Sequence, residues 1–158
     1  ELYSDVALEK YFQEKKLGPE PLEKTFTFDY LNTQLRRHGS TSLKAVLLNQ
    51  SLIAGIGNIY ADDICWQAKV KPTRRVQTLS LAERTALYRA SKTILREAIR
   101  LGGTSFSHYY KVDGQVGSYW EKRKVYGRTG EPCRRCAQPI KKTRCAGRGT
   151  HYCSKCQK

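Results

Sequence analysis

The fold turns on Ser42-Leu43-Lys44-Ala45-Val46-Leu47-Leu48-Asn49-Gln50, which runs through Ser51-Leu52-Ile53-Ala54-Gly55-Ile56-Gly57 into Asn58-Ile59-Tyr60-Ala61-Asp62. Leu43, Val46 and Leu47 recur at helical spacing, so residues 42–50 predict a short apolar helix. Gly55 and Gly57 are awkward in a helix and suited to turns. Asn58 then opens a second helix over 59–68, with Asp62 and Asp63 read as acidic charges favoured near its positive end. Adjacent helical residues point to different faces, which argues against Asp62 and Asp63 acting as a carboxylate pair. A helix start offers unpaired N–H groups and a positive dipole end, and nearby glycines let a ligand approach the backbone closely. The Asn58 amide can cap the helix or donate to an anion. The stretch therefore reads as a phosphate site that needs no lysine; an ordinary capped helix shows the same local pattern.

Upstream, Phe28, Leu31 and Leu35 predict a helix over Thr27–His38 that Gly39 stops, with His38 in a capping or surface role. Leu17-Gly18-Pro19-Glu20-Pro21 breaks regular structure, and Ser4–Lys16 predicts a short helix with Leu8, Tyr11 and Phe12 on one face. Downstream, Lys71-Pro72 ends the helix after Asn58. The longest helix is predicted over Ser80–Leu101: Ser80 and Glu83 form a capping box, Leu87, Ala90, Ile94, Ala98 and Leu101 form the apolar face, and Gly102-Gly103 end it. Thr104–Gly117 reads as a polar and aromatic loop, and Ser118 onward as short strands around a metal. The expected organisation is an entry segment over 1–24, a helical module over 25–117 that includes the 104–117 loop, and a zinc finger over 118–158.

That metal is implied by Cys133-x-x-Cys136 and Cys153-x-x-Cys156, separated by sixteen residues. Two cysteines three apart can aim both sulfurs at one ion, and two such knuckles complete a tetrahedron around one structural Zn2+. Cys65 and Cys145 have no partner at ligand spacing and read as small packing residues; His151, though near Cys153, is not needed as a ligand. Trp120 fits either hairpin core or a base-stacking surface, and His108 reads as a loop side chain without proton chemistry.

The chain of 158 residues carries 29 Lys+Arg against 14 Asp+Glu, a net charge of +15. Four thiolates and one Zn2+ lower this only to about +13, so the field still favours a polyanion, nucleic acid before an acidic membrane surface. No apolar run is long enough to span a bilayer and no secretory signal opens the sequence, so a cytoplasmic protein is expected. The sequence has no Met and starts at Glu1, so a processed product or a fragment of a longer protein is expected.

Five motifs, in order, resemble the formamidopyrimidine-DNA glycosylase family: Leu-Gly-Pro-Glu-Pro at 17–21, Gly-Ile-Gly-Asn-Ile-Tyr-Ala-Asp at 55–62, Gly-Gly-Thr-Ser at 102–105, Val-Tyr-Gly-Arg-Thr-Gly-Glu-Pro-Cys at 125–133 and Gly-Arg-Gly-Thr-His-Tyr-Cys-Ser-Lys-Cys-Gln at 147–157. The resemblance implies a mainly α helix–two-turn–helix module followed by a small β-hairpin zinc finger with ligands Cys133, Cys136, Cys153 and Cys156. It places Asn58 and Arg148 on the DNA backbone, with Tyr126 and Lys142 as further phosphate contacts; Lys44 is expected to approach a phosphate. It gives Thr104, Phe106, Ser107, His108 and Tyr109 to a lesion-capping loop, with Thr104 offering its carbonyl to the N7–H of 8-oxoguanine.

The family's nucleophile is an N-terminal proline amine, assisted by the adjacent glutamate, but residues 1 and 2 here are Glu1 and Leu2. The family's N-terminal β-sandwich domain is likewise missing, and no catalytic residue is identified in this chain. The expectation is the DNA-binding half of a base-excision-repair glycosylase/AP lyase for oxidised purines. As a monomer it would bind double-stranded DNA containing oxidised bases or abasic sites, associating with the bacterial nucleoid through DNA, without cleaving it. The alternatives are a stand-alone zinc-dependent nucleic-acid-binding module, or half of an endonuclease VIII-type enzyme for oxidised pyrimidines.

Overall fold

Thr27 begins the first helix because its hydroxyl accepts the Tyr30 N–H at 3.1 Å, satisfying a donor that the helix start leaves unpaired. This computed structural model describes residues 16–104 and 117–158, so the helix expected at 4–16 and the loop residues Phe106, Ser107, His108 and Tyr109 lie outside the described residues. Helix α1 spans Phe28–Arg37 and is closed by His38, whose Nδ1 lies 2.9 Å from the Gln34 carbonyl. Helix α2 spans Leu43–Leu48, α3 Asn58–Gln67 and α4 Leu81–Arg100. A turn of 3-10 helix at Val76–Thr78 precedes α4. The α4 capping box is formed: Ser80 Oγ accepts from Glu83 N at 3.2 Å, and the Glu83 carboxylate accepts from Ser80 N at 2.8 Å. At its other end Gly102 and Gly103 take φ of +73° and +80°, the left-handed region where a side chain is disfavoured.

Two local expectations are corrected. Gly57, not Asn58, is the cap of α3, and Asn58 is its first helical residue. Asp62 and Asp63 therefore lie beyond the first turn and are fully buried, so they are not solvent-facing helix-start charges. After residue 118 the chain first makes a short helix, α5 (Tyr119–Lys122), because Tyr119 anchors it in the helical core. Among the described residues strands are confined to β1 (Lys141–Cys145) and β2 (Arg148–Tyr152), an antiparallel hairpin in which Lys142 faces His151 and Cys145 faces Arg148. Ala146 and Gly147 turn it with φ of +51° and +71°, the primed geometry that matches strand twist.

One core unites α1 to α4 through Leu31, Leu35, Leu43, Leu47, Ile53, Ile56, Ile64, Leu87 and Ile94. A second, smaller cluster holds Val125, Ile140, Cys133 and Cys153, and Trp66 of α3 belongs to it rather than to the first. Helix α3 thus packs on α4 on one side and on β2 on the other. Among the described residues no helix is long and apolar enough to cross a membrane.

Candidate metal centre and nucleic-acid interface

The sulfurs of Cys133, Cys136, Cys153 and Cys156 all lie within 4.8 Å of one another, with Cys133–Cys156 at 3.9 Å and Cys136–Cys153 at 3.5 Å. Tetrahedral zinc with bonds of about 2.3 Å requires sulfurs about 3.8 Å apart, so the donor set fits the ion. Backbone N–H groups of Arg135 and Cys156 and the Trp66 indole N–H point at these sulfurs, the Trp66 Nε1 at 3.3 Å from Cys133. Such donors stabilise thiolate charge. Burial acts to raise the Cys133 thiol, but the N–H groups of Arg135 and Trp66 outweigh it and bring the thiol to about 6. His151 stands outside the cluster, its ring turned toward Asp62 at 3.3 Å. The four-cysteine set is a structural zinc site.

The second constellation gathers around Gly149. Its carbonyl accepts from Asn58 Nδ2 at 3.3 Å and from Lys44 Nζ at 3.0 Å. Asn58 Nδ2 also lies 3.3 Å from the Tyr126 hydroxyl. The Gly149 carbonyl has no hydrogen to give, so it fixes which end of the Asn58 amide faces inward, and the Tyr126 oxygen there acts as acceptor. The Tyr126 proton is then free for an outside acceptor. A Cβ at Gly149 would lie 3.6 Å from Lys142 Cε, so the Lys142 stem lies against this residue. Arg148 is exposed at the hairpin turn next in sequence. Asn58, Tyr126 and Lys142 thus meet at Gly149 from three segments, beside the N-terminus of α3, with Arg148 the preceding residue of the strand.

Lys44 corrects the expectation that it reaches a phosphate. It has 0 % exposure, and its ammonium is held 2.5 Å from Asp62 Oδ1, beneath the patch rather than on it. Asp62 also accepts the His151 N–H at 2.7 Å. Asp63 binds a different segment: Oδ2 accepts from the Tyr119 hydroxyl and Lys124 N, and Oδ1 from Val125 N, each at 2.9 Å. Burial pushes the Asp63 carboxyl up against the pull of these donors, and burial beside Asp63 pushes the Tyr119 hydroxyl far above its ordinary range.

The sequence reading missed both aspartates as anchors. The available signal was their setting, charges enclosed by Ile59, Ala61, Ile64 and Cys65, just as Lys44 lies three residues before Leu47 on an apolar face. Trp120 is half-buried, with the Arg123 guanidinium 4.0 Å above its ring and Tyr126 edge-on at 6.3 Å, so it braces the segment that carries Tyr126. Cys65 is fully buried, and Cys145 contacts Ser42 Oγ at 3.4 Å, as packing residues do. Thr104 bridges Ser118 at the base of the 104–117 segment.

A helix–two-turn–helix unit stitched to a four-cysteine zinc finger is the class that fold and site define. The model of the formamidopyrimidine-DNA glycosylase H2TH domain matches residues 17–109, and the zinc finger found in FPG and IleRS matches 130–158. The chain belongs to the formamidopyrimidine-DNA glycosylase family. It is 49% identical over 144 residues to the Listeria innocua formamidopyrimidine-DNA glycosylase, covering 91% of this chain and 52% of the relative. Against the Streptococcus pneumoniae enzyme it is 40% identical over 158 residues, covering 100% of this chain and 57% of the relative. The chain thus spans about half the length of the curated relatives it matches. The crystal structure of MutM (Fpg) from Thermus thermophilus superposes with a TM-score of 0.85 at 43% identity, covering 90% of this chain and 54% of that one. The Lactococcus lactis Fpg in complex with DNA containing an abasic site gives 0.87 at 39% identity, covering 98% and 56%.

Proposed function

We propose that this chain is the DNA-binding half of a base-excision-repair glycosylase/AP lyase acting on oxidised purines. The observation that carries the reading is the meeting of Asn58, Tyr126 and Lys142 at Gly149, where a helix N-terminus, a free hydroxyl proton and a lysine stem come together and the exposed Arg148 is the preceding residue of the strand. The Tyr126 hydroxyl proton and the N-terminal dipole of α3 can hold one phosphate, with Asn58 orienting Tyr126, while the cations neutralise others, so the patch positions a duplex without reading its sequence. The net charge of +15 supplies the long-range attraction. Lys44 supports the patch from below and makes no phosphate contact. Thr104 stands at the base of the segment that would cap an extruded lesion.

Read as that half, this chain binds abasic or oxidised duplex as a monomer without cleaving it. Activity belongs to a polypeptide that also carries the family's N-terminal domain. The setting is the bacterial cytoplasm, on the nucleoid.

Fluorescence anisotropy with an abasic-analogue duplex over a salt series tests this. Arg148→Ala should lower the slope of log affinity against log salt by about 0.9, the value for one phosphate contact, and weaken all duplexes alike. Asn58→Ala, which removes no charge, should weaken binding without changing the slope. A change confined to sequence preference, or strand cleavage by the isolated chain, would refute the proposal.

A further inference from the structure

Helix α4 carries a second basic surface that the Asn58–Arg148 patch does not include. At 3.6 residues per turn, Arg89, Arg96 and Arg100 fall within an arc of about 40°. The buried residues Leu87, Ala90, Ile94 and Ala98 lie on the opposite side of the helix. All three arginines are exposed, and none makes an ion pair or side-chain hydrogen bond among the described residues. The acidic residues of α4 do not neutralise them: Glu83 is held by Arg74 at 2.5 Å and Glu97 by Lys124 at 2.9 Å. Lys92 flanks the stripe, with its ammonium 5.0 Å from the Tyr88 ring centroid. The hairpin that carries Arg148 packs against α3, whereas the stripe lies on the side of α4 opposite its buried residues.

A one-signed stripe on a straight helix fits a rod of opposite charge. From Arg89 to Arg100 the helix advances about 16 Å, which spans roughly five phosphates along one strand of a duplex. We propose that the outward face of α4 binds the backbone of a second DNA duplex, so that one molecule bridges two segments. The contact is phosphate-only and indifferent to damage, since no hydrogen-bonding pocket accompanies the arginines. The proposal rests on the reading that the Gly149 patch binds the first duplex.

The test uses the full chain on beads bearing an abasic-analogue duplex, washed and then offered a fluorescent undamaged 20-base-pair duplex. Wild type should capture the second duplex, and R89Q/R96Q/R100Q should lower capture at least about tenfold, as expected for losing several phosphate contacts. Glutamine keeps helix propensity and removes only charge, so folding is preserved, with circular dichroism as the check. Anisotropy of the variant on a single abasic duplex should stay within about twofold of wild type, because the patch around Gly149 is untouched. Undiminished capture by the variant, or first-duplex binding by wild type with no second capture, overturns the bridge alone. If wild type binds no duplex in the anisotropy titration, the first-duplex reading fails and the bridge with it.

Discussion

Replacing Lys44 by methionine separates a positioning role from a phosphate contact. Methionine keeps the length of the stem and removes the ammonium, leaving Asp62 buried with only His151 as donor. Stripping one partner from a buried ion pair costs about 3–5 kcal/mol. The low end applies here, near 3 kcal/mol, because His151 still donates to Asp62 at 2.7 Å and Asn58 still donates to Gly149. In K44M/D62N the amide oxygen can still accept the His151 N–H, so the double variant should return to within about 1–2 kcal/mol of wild type. Urea unfolding followed by tryptophan fluorescence gives all four corners of that cycle. DNA binding supplies the second arm: with the variant kept folded, the salt slope should match wild type, whereas a lost phosphate contact would reduce it by about 0.9. A K44M protein of unchanged stability with a slope reduced by about one would mean that Lys44 reaches DNA, and the burial argument would be wrong.

Cys133→Ser should abolish zinc binding and unfold the finger, because a structural zinc contributes its binding energy to folding; one zinc per chain retained by the variant would contradict this. Gly18→Ala should destabilise by about 1–3 kcal/mol, since its Cβ would fall 2.4 Å from the Leu52 carbonyl oxygen, a backbone atom that cannot swing aside; an unshifted Tm would count against it. Asp63→Asn should lower stability at neutral pH by about 1–3 kcal/mol, as an NH2 group would face a buried donor. The folded-state carboxyl of Asp63 is raised above 3.8, so its contribution is fully present below that pH and lost as pH rises through the folded value. The stability gap between wild type and D63N should therefore widen on going from pH 7 toward pH 4; a gap that narrows would reverse the assigned direction.

The long α4 was legible because its signals agree: the capping box, the apolar stripe through Leu87 and Ile94, and the glycines after Leu101 all specify the same boundaries. The zinc ligands were legible because CxxC spacing is a local geometric requirement, met here with sulfurs 3.5 and 3.9 Å apart. Lys44, Asp62 and Asp63 were misread for the opposite reason. Whether a charged side chain faces water or a buried partner is decided by residues far away in sequence, here His151, Gly149, Val125 and Tyr119. The short α5 was hidden for the same reason, since Tyr119 is drawn into the helical core through Asp63.

The same long-range bonds explain how the patch around Gly149 is held in register. Asn58 and Asp62 are four apart on α3 and so share one face, advancing about 6 Å along the axis. They bind Gly149 and His151, two apart on β2, an advance of about 6.6 Å. The helix and the strand therefore match in rise over this stretch, and the hairpin can dock on α3 in one register without strain. A one-residue slip would present Thr150 or Tyr152 to Asp62 and turn His151 to the opposite face of the strand. Asp63, about 100° further around the helix, takes hold of the segment that leads to Tyr126. One pair of neighbouring aspartates thus fixes both arms that flank Asn58: the strand that begins with Arg148 and the turn that carries Tyr126. Their pointing to different faces, which argued against joint carboxylate chemistry, is what lets them clamp two segments of the finger at once.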